Sequence, residues 1–358
     1  MKKIIHLLIG IIGAVFFVIS VQTEVKASQG NTTMTLYSGR AYEFVNTDPN
    51  STMFVSFIGN NVVSYDFVMK DQSGDIVGFG ISGGRIQIRN GGTTTVTMTN
   101  RASVQVSYNA SRLKVIDTSG SALWRENIAG SQTISIQNNS SERSAEFSID
   151  NTGRSAYARY DLVIRDNTGI VTHYSANNIF TSIIVPSGGS AMLTAIGDAG
   201  MRLMAPADTI NNMVTIKKDN TPALAFRVIE GGKTVAITNG GFSDYQLRVS
   251  SVAGTVSNIQ YDFVNLDGRN FVTDFNQASA GLLINILVDN TFVITPTSAI
   301  RLTFPSEWAQ NGLTIAERQT EALTSFNIPG GKTFTLTNTS MSTVLNLRAV
   351  PAAITGRG

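Results

Sequence analysis

Two stretches of this 358-residue chain, Gly231-Gly232-Lys233-Thr234 and Gly330-Gly331-Lys332-Thr333, end in the residues of a phosphate-binding loop. Such a loop cradles phosphate oxygens with backbone N–H groups and the N-terminus of a helix. The glycine that should open the GxxxxGK[ST] spacing is Arg227 in one stretch and Phe326 in the other. No helical pattern comes after either of them. Gly92-Thr93 fills the same slot earlier in the chain, so all three read as hairpin turns.

Oxygen ligands are a second possibility. Asp71-Gln72-Ser73-Gly74-Asp75 and Asp166-Asn167-Thr168-Gly169 present carboxylates in a turn, as a calcium loop does. Calcium takes six to eight oxygens, and at most two carboxylates lie in either turn. The expectation is hairpin turns capped by their own aspartates, with a calcium site assembled between units as the alternative. Asp66, Asp161 and Asp262 share a Tyr-Asp-Phe/Leu-Val motif. A catalytic carboxylate should differ from its repeats, so a trio repeated once per unit points to a structural role.

Nucleophilic and metal chemistry have little to work with. There is no cysteine, and the two histidines are His6 and His173. A histidine metal cluster and a cysteine nucleophile are therefore excluded. A serine triad would depend on His173, beside Tyr174 on an expected hairpin strand, with no GxSxG near it. A carboxylate pair of the glycosidase kind stays formally open, but no two carboxylates stand apart from the rest. Trp124 and Trp308 lie near unit seams, where a large aromatic is expected to pack rather than to stack on a sugar. No catalytic, cofactor-binding or metal-binding residue is nominated.

The elements that carry these residues repeat at a step of roughly a hundred residues. Tyr65-Asp66-Phe67-Val68 returns as Tyr160-Asp161-Leu162-Val163 and Tyr261-Asp262-Phe263-Val264, each followed by an aspartate, Asp71, Asp166 or Asp267. Met34-Thr35-Leu36, Ile134-Ser135-Ile136, Phe226-Arg227-Val228 and Phe326-Asn327-Ile328 are taken as a second set of landmarks. Residues 64–70, 85–89, 93–99, 233–238 and 332–337 alternate apolar with polar, the pattern of strands with one buried face. Gly-Gly and Asp-x-x-Gly joints between them supply hairpin turns. A weaker echo of residues 65–74 in residues 112–120 suggests two similar groups of about four strands per unit.

The fold expectation is all-β: tandem immunoglobulin-like β-sandwich modules of about 100 residues, with a β-propeller of about 48-residue blades as the alternative. The expected boundaries are a signal peptide at 1–27, modules at 28–130, 131–222 and 223–322, and a partial module at 323–358 packed on the third. Residues 1–27 show a basic start at Lys2 and Lys3, an apolar run from Ile4 to Val21, and Val25-Lys26-Ala27 as a cleavage site. A retained membrane anchor is the rival for that segment.

Without residues 1–27, which hold Lys2, Lys3, Lys26 and Glu24, the basic count falls from 27 to 24 and the acidic count from 25 to 24. A net charge near zero provides no field to attract nucleic acid or anionic lipid. Export without disulfides suits a bacterial secreted protein. The functional expectation is an exported, non-enzymatic structural or adhesive protein of the cell surface or extracellular matrix. A carbohydrate- or cell-wall-binding protein is the alternative, and a secreted hydrolase with a carboxylate pair the third. No cofactor is expected. The expected partner is a protein or a surface glycan, with no nucleic acid, no membrane after signal cleavage, and self-association through the C-terminal partial module.

Overall fold

A computed structural model describes residues 30–59, 63–153, 157–198, 200–252, 259–324, 333–337 and 347–348. The expected signal peptide lies outside the described residues, as does most of the expected partial module. Among the described residues no helix is long and apolar enough to cross a membrane.

Among the described residues the regular structure is nearly all antiparallel strand, nine strands to a module. The first module holds β1 (Asn31–Leu36), β2 (Ala41–Asn46), β3 (Met53–Ile58), β4 (Tyr65–Lys70) and β5 (Ile76–Ser82). It continues with β6 (Ile86–Ile88), β7 (Thr93–Met98), β8 (Val104–Asn109) and β9 (Leu113–Thr118). The second module repeats them as β10 (Leu123–Ile128), β11 (Thr133–Asn138), β12 (Ala145–Asn151), β13 (Tyr160–Arg165) and β14 (Val171–Asn178). Its remaining elements are β15 (Ser182–Val185), β16 (Ser190–Ala195), β17 (Met201–Pro206), a short helix α1 (Ala207–Met213) and β18 (Val214–Asp219). The third has β19 (Leu224–Ile229), β20 (Thr234–Asn239), β21 (Tyr245–Ser251), β22 (Tyr261–Leu266) and β23 (Val272–Ser279). It closes with β24 (Leu283–Ile286), β25 (Thr291–Pro296), β26 (Ile300–Pro305), a 3-10 turn (Ser306–Ala309) and β27 (Leu313–Arg318).

Each module divides its strands between two sheets in one pattern. The four-stranded sheets run β1-β8-β3-β6, β10-β17-β12-β15 and β19-β26-β21-β24. The five-stranded sheets run β5-β4-β7-β2-β9, β14-β13-β16-β11-β18 and β23-β22-β25-β20-β27. These are sandwich modules of the expected size, and neither a closed barrel nor a propeller. Within the sandwich, strand one pairs with strand eight and strand two with strand seven. That is the double Greek key of a jelly roll, whereas an immunoglobulin sandwich pairs its first two strands.

The first seam, expected at residue 130, moves. β10 lies in the second module's four-stranded sheet, so the second module begins at Leu123. The landmark set slipped because Ile134–Ile136 belongs to β11, the counterpart of β2, and the true counterpart of Leu36 is Ile128. Both stretches alternate in the same way, so periodicity alone could not tell a first strand from a second.

By contacts the chain forms two compact units: residues up to Arg125 with Met204–Asn211, and Glu126–Leu203 with everything from Asn212. In the first unit the core between the sheets holds Leu36, Tyr42, Phe44, Val55, Ile86, Ile88, Val96 and Val106. Alternation puts these on the inner faces, since neighbouring strand residues point to opposite sides. In the second unit one continuous cluster joins the third module's core to Val163 and Tyr174 of the second module.

Two polar residues recur inside the modules and lock their corners. The tyrosine of the Tyr-Asp motif buries its ring and donates its hydroxyl to the carbonyl of Gly84, Phe180 or Gly281, at 2.9, 2.9 and 3.0 Å. Burial raises the pKa of Tyr65, Tyr160 and Tyr261. Asn46, Asn138 and Asn239 end the second strand of each module and are fully buried. Each amide donates to loop carbonyls, as Asn239 does to Ser243 and Ile286 at 2.9 Å. Each side-chain oxygen also accepts a backbone N–H two residues on, so no donor is left unpaired.

Candidate functional site: the outward sheet face

The described residues contain no group of three histidine, cysteine, aspartate or glutamate side chains able to hold a metal ion. His173 stands exposed on β14, opposite Ile164. Gly231-Gly232 forms the turn between β19 and β20, with the Lys233 N–H donating to the Glu230 carbonyl. Asp71 and Asp166 spend one carboxylate oxygen on their own turns. Asp71 accepts from the Ser73 hydroxyl at 2.7 Å and the Asp75 N–H at 3.0 Å; Asp166 accepts from the Thr168 hydroxyl at 2.6 Å and the Ile170 N–H at 3.0 Å. Those hydroxyl bonds are the main reason both carboxyls titrate below their ordinary value. The glycine of each turn, Gly74 or Gly169, has a positive φ that any other residue would strain to adopt.

What the structure gathers is a repeated set on the outward face of the five-stranded sheets. In β4 the inner positions are Tyr65, Phe67 and Met69, so Asp66, Val68 and Lys70 point away from the core. Asp161, Val163 and Arg165 match them in β13, and Asp262, Val264 and Leu266 in β22. An aromatic on the fifth strand faces the valine: Phe79 opposite Val68, Tyr174 opposite Val163, Phe275 opposite Val264. On the seventh strand a threonine lies opposite the aspartate: Thr97, Thr194 and Thr295.

Each threonine hydroxyl accepts a backbone N–H from an alanine farther along the chain. Ala122 donates to Thr97 at 2.7 Å, Ala223 to Thr194 at 2.7 Å, and Ala322 to Thr295 at 2.9 Å. A leucine follows each alanine. In the first unit Ala122 and Leu123 pack with Val68 and Phe79, and in the second Ala223 and Leu224 pack with Val163 and Tyr174.

Charge completes the set. The Lys70 ammonium meets the Asp208 carboxylate at 2.6 Å, and the Arg165 guanidinium meets Glu307 through Nε at 2.6 Å and through a second, shorter contact. Asp208 and Glu307 each lie two residues past the eighth strand. In the second unit Trp308 stacks on Tyr245 at 4.5 Å and meets Tyr174 edge-on at 5.9 Å. The Tyr174 hydroxyl donates to the Gln246 carbonyl at 2.6 Å. Burial outweighs the Arg248 guanidinium beside Tyr174, and its pKa is pushed up to about 12.

The motif aspartates diverge in partner. Asp161 accepts the Asn177 N–H at 2.9 Å and Asp262 the Ala278 N–H at 2.8 Å. Both donors sit at β-bulges and have positive φ without being glycine. The carboxylate thus pins a strained bulge. Burial raises the Asp161 pKa, the N–H bond opposing it. Next to Asp66 the pairing runs unbroken from Tyr65 to Met69, and Asp66 instead takes both arms of the Arg125 guanidinium, one at 2.5 Å.

Trp308 is buried and Trp124 half-buried, as expected of seam aromatics. The alanine-leucine steps, the threonines and the ion pairs were not singled out in the sequence, although the first two recur three times at the step of the Tyr-Asp motif and the ion pairs twice. No known protein-family model matches the chain, and no curated protein is significantly similar to it.

Proposed function

We propose that this is an exported structural or adhesive protein of the cell surface or extracellular matrix, without enzymatic activity. The observation that carries the reading is how the repeated polar residues are used. Tyrosine, aspartate, asparagine and threonine recur at fixed positions, and each is bonded to a corner, a bulge, a turn, the next alanine-leucine step or, at Asp66, the Arg125 guanidinium. Modules repeated in series along one chain suit a spacer or matrix component. Absence of disulfides and a net charge near zero fit an extracellular bacterial role without nucleic-acid binding.

Fractionating the producing cells tests this. The expected result is the protein, cleaved after Ala27, in the washed wall or an insoluble matrix fraction. Recovery in the cytoplasm with Met1 intact would sink it.

Carbohydrate binding is the second reading. It is favoured by a shallow concavity of about 660 Å³ lined by Thr52, Asp71, Gln72, Gln87, Arg89 and Asn90. Amide, hydroxyl and charged groups of this kind match a hydroxyl-rich ligand. Specific retention on purified wall polysaccharide, lost in Arg89→Ala, would favour this reading.

A further inference from the structure

We propose that the outward sheet face of the third module is a seat filled by the chain's own continuation, entering at Ala322-Leu323 and held again at Leu347-Arg348. The seat has the parts of the two before it: Val264, Phe275 and Thr295. Ala322 already donates to Thr295, as Ala122 and Ala223 do to their own threonines. The Arg348 guanidinium reaches the Phe275 carbonyl at 3.3 Å and the Asn276 side-chain oxygen at 2.9 Å. A cavity of about 220 Å³ is lined jointly by residues 272–275 and Leu347-Arg348. Val293 points outward beside Val264 yet is only 4% exposed. A bare sheet face would leave such a valine open to water.

Past Ala322 the repeat starts over. From Ala322-Leu323 through Ile328 and Thr333 to Asn338, the chain matches Ala223-Leu224, Ile229, Thr234 and Asn239 without a gap, and equally Ala122-Leu123, Ile128, Thr133 and Asn138. In sequence these are the residues that open a module, so the chain that enters the seat at Ala322-Leu323 carries the start of a fourth copy.

A second molecule is the competing occupant, and the sequence disfavours it. The donor step in the first module would be Gly30-Asn31 where the others have Ala-Leu. A copy arriving by its first module brings no leucine for the valine-aromatic pocket. The seat also differs in chemistry. Leu266 stands where Lys70 and Arg165 hold an acid, so the third joint carries no ion pair at that position and should be insensitive to salt.

The absence of native cysteine makes a cross-linking test direct. In the full-length chain, Val264→Cys with Leu323→Cys is compared with Val163→Cys with Leu224→Cys, whose side chains share one buried cluster. Mild oxidation is expected to close both pairs at monomer mass. The proposal is overturned if the 264/323 pair closes only between molecules, or stays open while the control closes. Hydrogen exchange in the cysteine-free chain covers the case of a pair that misfolds. Leu323→Asp should raise exchange in residues 272–276 at least tenfold and leave the first module unchanged. Unaltered protection of 272–276 in that variant would also overturn the proposal.

Discussion

The two units solve the same local problem with different chemistry. In the first, the residues after β9 are held by charge: Asp66, almost wholly buried, takes the Arg125 guanidinium, and Lys70 takes Asp208. The apolar part is small, with Val68, Ala122 and Leu123 backed by Phe79. In the second, Tyr174, Trp308 and Tyr245 stack into the core of the third module. The ion pair Arg165–Glu307 lies at the rim of that aromatic cluster. Apolar burial stabilises in proportion to area and is not subject to charge screening, whereas exposed ion pairs contribute little and are screened. The same positions therefore yield one joint whose Lys70–Asp208 pair, with Asp208 63% exposed, responds to ionic conditions and one whose less exposed Arg165–Glu307 pair responds less.

The comparison breaks most readily at Trp308. Trp308→Ala should cost ~3–5 kcal/mol in the second unit, the usual cost of deleting a buried aromatic, measured by urea denaturation. If the loss is under ~1 kcal/mol, the aromatic stack is not what joins that unit.

Arg125→Ala should cost about 2 kcal/mol in the first unit. Removing one partner of a fully buried pair costs ~3–5 kcal/mol, and Arg125 keeps 31% exposure, which reduces the effect. Replacing both partners, with Asp66→Leu in the Arg125→Met background, should recover most of the loss. A double variant no more stable than Arg125→Ala would contradict the account of Asp66 as a stranded charge.

Smaller still is the salt response. Lys70→Ala should cost under ~1 kcal/mol, since Asp208 is 63% exposed, and the cost should vanish at 1 M salt. Arg165→Ala, at a pair far less exposed, should cost more and retain most of its effect in salt. Equal behaviour of the two variants would erase the distinction.

The smallest effect concerns pH. Asp161 has its pKa raised by burial above the ordinary 3.8, so the folded state holds that proton more tightly than the unfolded chain. Stability from this group is highest below pH 3.8 and falls as pH rises through the raised value. Asp161→Asn keeps an oxygen for the Asn177 N–H and does not titrate. It should match the parent in acid and exceed its stability at neutral pH. Asp71 and Asp166 titrate below the ordinary value, so their contribution runs the other way, present above pH 3.8 and lost on acidification. A stability difference between Asp161→Asn and the parent that does not change with pH would refute the assignment.

Much of this molecule is written locally, and that part was legible. The Tyr-Asp motif, the Asp-x-x-Gly turns and the alternating strands announce β modules in series, because period-2 alternation and turn chemistry depend on near neighbours. The self-capped turns at Asp71 and Asp166 needed only four residues each to be recognised. Even the alanine-leucine steps and the paired charges at positions 70 and 165 recur at the repeat step, although nothing within one copy marks them as contacts.

The strand order needed the tertiary structure. β1 and β10 resemble β2 and β11 in pattern, and only their partners, strand eight for one and strands seven and nine for the other, separate them. Long-range pairing also decided the fates of the three motif aspartates. Asp161 and Asp262 are spent on bulges, which no sequence period encodes. Asp66 meets a continuous strand, so its buried charge required a cation, and the fold brought Arg125 to it.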